Sequence, residues 1–373
     1  MTALLHKVVD LLRQWLEQRT NRSNKGMRAC RTTLRGTVLD TDPSAIEAVF
    51  ARLSDKMLAG VAEATAELRP LKPIPNWRFD SFTEDVDLAV HVRHSLWLAA
   101  KARSGDIPVV VPWHCHTHLK LRLDNDLSRT LFSGGCFEPN EFCLIDQLLK
   151  PGMVFIDAGA NEGLYTVFAA ARVGEAGRVI AVEPSAREIR RLRQNLALNK
   201  FGSVEIIVAA LAEHSGTVRL FLAEVEHSGQ NTLGAAAYPG VAMVGEEEVA
   251  AITLDELAFQ CGLTQLDVLK LDLEGAELRV LSSASRTLAE LKPLILAEVN
   301  EAALGHQDGS VAGLYELLEA ADYILLTFGS RGEPELLRQV NRPQSESIVA
   351  VHRDRDWGLL PKQAAPSCTP HLL

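Results

Sequence analysis

From about residue 140 onward the chain alternates short apolar runs with amphipathic stretches. The runs fall at 153–157, 179–183, 204–210, 268–272, 294–299, 323–328 and 347–352. Each has the length and continuous apolarity of a strand buried on both faces. Between them, 186–199, 276–288 and 311–321 carry apolar residues at helical spacing. Strand–helix alternation predicts an α/β fold, with a mostly parallel seven-stranded sheet and helices on both faces. Ligands of such sheets sit beyond the carboxyl ends of the strands, so chemistry is expected just after each run.

Upstream the pattern is helical. Leu4, Leu5, Val8, Val9, Leu12, Trp15 and Leu16 form one stripe in a segment, 1–36, that carries eight basic residues against Asp10 and Glu17. A basic amphipathic helix can lie on an anionic membrane. The expectation is packing on its own domain or on a second copy, giving a homodimer through the N-terminal helices. A second helix is expected over 43–69 and a third over 86–102, separated by a linker at Pro70, Pro73 and Pro75. This divides the chain into a mostly helical N-terminal region (1–124), an α/β domain (125–352) and a loose tail (353–373). His114, His116 and His118 alternate and would share one strand face, with Cys115 on the other. A polar strand face is expected there rather than a metal site.

Composition narrows the function. The chain has 373 residues, 47% hydrophobic and 23% charged, with net charge −10. That suffices for a large core without disulfides and argues against wrapping nucleic acid. No run approaches the ~18 apolar residues of a membrane span, so no integral membrane contact is expected. Its six cysteines include no C-x-x-C pair. Scattered thiols and the lack of a signal-like start predict a cytoplasmic protein.

The first run ends in D-A-G-A-N-E-G, Asp157–Gly163, followed by a helix. Gly159 allows a turn with close ligand approach, and Gly163 lets the helix start tight against the sheet. Asp157 stands where a nicotinamide-type fingerprint has its first glycine. A carboxylate there suits a cationic group, such as the ammonium of S-adenosylmethionine, and repels a pyrophosphate. The second run ends in Glu183-Pro184, 20 residues past Gly163, where an acid accepts both ribose hydroxyls of an adenosine. After the third run, Ala210 and Leu211 would flank an adenine ring, and Glu213 would accept from its amino group. The fourth run ends in L-K-L-D-L-E-G-A-E, Leu269–Glu277, with Lys270 and Asp272 on one side of the strand.

With G-G-C-F-E-P-N-E (134–141), T-L-D-E-L (253–257) and L-K-P-L-I-L-A-E-V (291–299), these residues resemble the FkbM family of S-adenosylmethionine-dependent methyltransferases. The resemblance covers roughly 125–352 and implies a class I methyltransferase Rossmann-like fold. It implies O-methylation of a hydroxyl on a sugar or natural product, a small molecule or glycan. It also implies cofactor contacts from Asp157, Gly159, Asn161, Gly163, Tyr165, Thr166, Glu183, Pro184, Ala210, Leu211, Glu213 and Asp272. The chain reads A-L-A-E where the family has an Asp near Glu213.

Methyl transfer is an in-line displacement that needs the acceptor oxygen held on axis and relieved of its proton. The bases expected are Asp272, Glu274, Glu298 and His306. Asp272, Glu298 and Asn300 offer three oxygens to a magnesium ion, but a polyol held without metal is the expectation. The Gly- and Ala-rich stretch 229–248 is a candidate lid. The competing functions are a non-catalytic S-adenosylmethionine-binding or assembly protein working through its N-terminal region, and an NAD-dependent oxidoreductase, which Asp157 disfavours.

Overall fold

The computed structural model describes residues 50–51, 53–68, 88–103, 107–338 and 345–360. The expected N-terminal basic helix and the proline-rich linker lie outside the described residues. Two helices come first, α1 (Asp55–Leu68) and α2 (Leu88–Lys101). They are followed by β1 (Pro108–Pro112), β2 (His118–Arg122) and α3 (Pro139–Leu148). The α/β part opens with β3 (Val154–Ala158), α4 (Leu164–Val173), β4 (Arg178–Val182), α5 (Ala186–Asn199) and β5 (Val204–Ile207). Next come β6 (Ala210–Leu211), β7 (Gly216–Ala223), β8 (Met243–Ile252), α6 (Leu254–Gln260), β9 (Val268–Leu271) and α7 (Glu277–Ser282). It closes with β10 (Leu294–Asn300), α8 (Glu301–Gly305), α9 (Val311–Ala320), β11 (Tyr323–Phe328), β12 (Pro334–Leu336) and β13 (Ser345–His352).

The main sheet has the order β12-β11-β13-β10-β9-β3-β4-β5. Strands β10, β9, β3, β4 and β5 are mutually parallel, and β13 is inserted antiparallel between β10 and β11. The class I order is therefore present, with one strand more than the seven expected. The eighth, β12, is a three-residue edge folded back on β11. From β3 the chain first builds outward through β4 and β5, then crosses to β9 on the other side. That reversal makes a crevice between the carboxyl ends of β3 and β9.

Strand alternation divides the core. Phe155, Val179, Val268, Leu294 and Leu296 face one side, and Ile156, Ile180, Leu269, Ile295 and Ala297 face the other. The first side is continuous with Leu58, Leu96 and Trp97 of the two opening helices and with Val109, Val111, Leu119 and Leu121 of the β1–β2 ribbon. That ribbon was not expected from the pattern. Its outer edges are satisfied by side chains: Val110 N donates to Glu63 of α1 (3.0 Å), and His118 N and Lys120 N donate to Asn199 and Asn195 of α5 (both 2.7 Å).

Three further expectations change. His114–His116 form a turn between β1 and β2, with Cys115 and His116 left-handed, so the three histidines do not share a strand face. The run 204–210 is two strands, because β6 leaves the main sheet for a small one of order β6-β8-β7. Glu246, Glu247 and Glu248 therefore lie on β8, and only the earlier part of 229–248 is loop. Residues 353–360 are not loose: Trp357, Leu359 and Leu360 pack on the core, and Arg355 pairs with Asp267 (3.0 Å). Among the described residues no helix is long and apolar enough to cross a membrane.

Candidate active site

A solvent-open cavity lies beyond the carboxyl ends of β3, β4 and β9. Gly159 sits in its floor at φ +78, and a Cβ there would lie 1.9 Å from the Asp272 carbonyl oxygen. A side chain at 159 would push the two strand ends apart. Glu183 is 5% exposed; its oxygens accept from Asn161 N (2.9 Å) and Ser185 N (2.8 Å). Burial pushes its carboxyl up to about 7, against the pull of those two donors. Pro184 lines the same cavity, and Ala209, Ala210, Leu211 and Leu273 form an apolar wall. Asn161, left-handed at φ 48, buries a side-chain oxygen that has no hydrogen-bond partner.

These features fit an adenosine-bearing ligand. Each Glu183 oxygen keeps a lone pair for a ribose hydroxyl, the wall suits a flat ring, and the Asn161 oxygen awaits a donor.

A second, solvent-open cavity shares Gly159, Asn161, Asp272 and Glu274 with the first. Glu138, Asp272 and Glu298 converge here, each bringing a carboxylate oxygen within 4.8 Å of the others. Lys270, 6% exposed, reaches up beside them and donates to Asp272 (2.8 Å). Burial works to lower the lysine's pKa, but Asp272, Asp157 and Glu138 outweigh it and raise it. Glu138 stands left-handed at the start of α3 and accepts from the Tyr165 hydroxyl (2.5 Å). Burial, opposed by Lys270 and reinforced by Glu141 and Asp272, pushes Glu138 up to about 8. Burial and then Asp272 raise both Glu274 and Glu298. Tyr238, from the loop between β7 and β8, donates to Glu298 (3.4 Å), and with Gly229 and Gln230 it lines this cavity.

Glu274 and Gly275 form a left-handed pair after β9. Glu277 holds the turn, its buried carboxylate accepting from Leu273 N (2.7 Å) and Gly275 N (3.1 Å).

The structure brings together Gly159, Asn161, Glu183, Pro184, Ala210, Leu211, Asp272 and Glu274 at the first cavity, and Tyr165 and Glu298 at the second. Other expected residues lie elsewhere. Asp157 is 1% exposed and lines neither cavity; one oxygen accepts from Thr166 (2.5 Å) and the other has no partner. Asp157 stands opposite Lys270 in the β3–β9 register, and its charge helps raise that lysine's pKa. Thr166 is fully buried and serves Asp157. Gly163 caps α4, where a Cβ would meet Leu192 at 2.4 Å; it is there for packing against α5. Glu213 turns away to Arg279 (3.3 Å). His306 lines neither cavity, and its ring contacts the Ala235 carbonyl (3.2 Å). Asn300 caps α8 through Ala302 N and Ala303 N, so it is not free to join Asp272 and Glu298 around magnesium.

Sequence reasoning missed Glu138, although its motif was in view. It also missed Asp126 and His227, which line the second cavity and pair with each other. No spacing links those residues to the strand-end motifs.

A family model described as a methyltransferase FkbM domain matches residues 157–325. Over 206 residues the chain is 29% identical to the AMB antimetabolite synthetase AmbE of Pseudomonas aeruginosa, covering 46% of this chain and 9% of that protein. Over 171 residues it is 27% identical to methyltransferase sdnD of Sordaria araneosa, covering 39% of this chain and 66% of that protein. The chain thus spans a small fraction of the first relative and just under two thirds of the second. A solved methyltransferase FkbM from Methylobacillus flagellatus KT is 16% identical, with TM-score 0.34, over 61% of this chain and 55% of that one.

Proposed function

We propose, from the premise that residues 157–325 are a methyltransferase FkbM domain, that this chain is an S-adenosylmethionine-dependent O-methyltransferase acting on a hydroxyl of a neutral or amine-bearing polyol. The observation that carries this reading is the joining of the two cavities at Asp272. One is lined for an adenosine, and the other is a separate chamber lined by carboxylates. Bound S-adenosylmethionine would supply an electrophilic methyl group on a cationic sulfur.

The chain's own residues do the rest. Glu183 and the Asn161 oxygen hold the nucleoside, and the apolar wall at Ala209–Leu211 takes its base. Lys270 pairs with Asp272 at the junction of the cavities, and that carboxylate would favour positive charge on sulfur. Glu138, Glu274 and Glu298 accept from the acceptor's hydroxyls and set its orientation, which is the main requirement of an in-line displacement. Glu138, Asp272 and Glu298 converge beside one lysine that is already paired with Asp272, so its charge is not offered to a phosphate or carboxylate of the acceptor, which disfavours such acceptors. Tyr238 forms part of the chamber wall and bonds Glu298 there.

The test is methyl-labelled S-adenosylmethionine with methyl glucoside, glucosamine, inositol and glucose 6-phosphate, reading products by NMR. An O-methyl ether on the first three and none on the phosphate is expected. Transfer only to nitrogen, or cofactor binding without transfer to any hydroxyl, would contradict the reading.

A further inference from the structure

Asp126 and His227 stand 101 positions apart and meet in the wall of the second cavity. His227 Nδ1 lies 2.5 Å from Asp126 Oδ2. Arg129 Nη2 holds the other oxygen, Oδ1, at 3.4 Å. The turn that carries Asp126 is fixed by Asn125, whose side chain accepts from Ser128 N (2.9 Å). Asn125 Nδ2 also donates to Ser228 Oγ (3.3 Å), which ties this turn to the segment Val225–Gln230 that bears His227. Both members of the pair are therefore braced from the same side.

With Nδ1 committed to a carboxylate, a neutral ring carries its proton on Nδ1 and its lone pair on Nε2. Only Nε2 is left for a ligand. Three carboxylates that line this cavity already have partners: Asp272 with Lys270, Glu138 with Tyr165 and Glu298 with Tyr238. The imidazole is held by a carboxylate in one tautomer, with its other nitrogen left to accept a proton.

We propose that His227, oriented by Asp126, is the catalytic base that takes the proton of the acceptor hydroxyl. This rests on the hydroxyl-acceptor reading above. Nε2 takes the proton as the oxygen lone pair forms the new O–CH3 bond. The methyl–sulfur bond breaks, and its electron pair stays on sulfur as a neutral thioether. The imidazolium then gives its proton to water. Asp126 touches no reacting atom; it is a positioning residue that also stabilises the positive ring.

Glu226, beside the ring, is tied to Lys101 of α2. Strand β7, which packs against the segment, brings Arg219, itself paired with Glu246. Glu138, Lys270, Asp272 and Glu298 stand elsewhere in the lining.

The experiment uses the full chain, methyl-labelled S-adenosylmethionine and the acceptors above. If the wild type methylates no hydroxyl, the underlying reading fails and this inference falls with it. If it does, His227→Ala is expected to lower kcat by about 10²–10⁴-fold, with affinity for S-adenosylhomocysteine kept within about threefold. Added imidazole should restore at least about tenfold of the loss, which a merely structural histidine would not allow. Asp126→Asn should lower kcat less and leave the acceptor KM unchanged. Retention of kcat within about threefold in His227→Ala, or a loss that imidazole does not reverse, would overturn the assignment.

Discussion

Gly159 shows how tightly a single position can bind a site to the fold. Its Cβ would fall 1.9 Å from the Asp272 carbonyl, a contact that backbone cannot relieve without moving a strand end. Gly159→Ala is therefore expected to abolish S-adenosylhomocysteine binding, and its melting temperature should also drop; unchanged affinity would show that the strand ends are not a fixed part of the cradle. Asp157 makes a different case. It was expected to meet a ligand ammonium, yet it lies beneath the cavity, among Thr166 and Lys270. Asp157→Ala leaves the buried Thr166 hydroxyl without its acceptor and removes one of the carboxylates near Lys270, so stability should fall by about 1–3 kcal/mol, read by denaturant unfolding. A purely binding defect in that variant, with stability intact, would restore the ligand role. The sequence pattern identified both residues but distinguished them poorly. A strand-end motif shows that a residue is near the crevice, not which way its side chain points.

At the scale of elements, the apolar runs were legible because central parallel strands are buried on both faces and allow little else. β12 was not, because three edge residues leave no periodicity. The β1–β2 ribbon was legible only in hindsight: Val109 and Val111, then Leu119 and Leu121, alternate inward, but each run is short and bounded by residues that suit loops. Side chains of α1 and α5 satisfy its edges, and such long-range help leaves no local trace. The opening helices are part of the same core as the sheet. Trp97, 2% exposed, donates from its indole to Ser128 (3.2 Å), and Lys101 lies 5.2 Å from its ring centroid. Trp97→Ala should cost about 3–5 kcal/mol of stability by denaturant unfolding. A loss below about 1 kcal/mol would mean that this region is independent of the α/β part.

For the molecule as a whole, burying so many carboxylates couples stability to pH. An unfolded glutamate releases its proton near 4.5, whereas Glu183 and Glu277, buried, hold theirs to about 7. Between those values the folded state binds protons that the unfolded state has lost, so stability falls as pH rises across the window. The free protein should melt at a higher temperature near about pH 5.5 than near about pH 8, and Glu277→Gln should flatten the difference. A melting temperature that rises over this range would show that these groups are ionised throughout. The same arrangement explains what remained hidden in the sequence. Glu138, Asp126 and His227 reach the second cavity from α3, from the turn after β2 and from the segment after β7, and only the folded chain unites them.

The most direct test of the account is calorimetric titration of wild-type protein and Glu183→Ala with S-adenosylhomocysteine and with NAD. One molecule of the sulfur nucleoside should bind the wild type, with affinity falling about 10–100-fold in Glu183→Ala as the ribose loses its charged acceptor, and NAD should not bind. Equal affinity in the two proteins, or preference for NAD, would contradict the cofactor site.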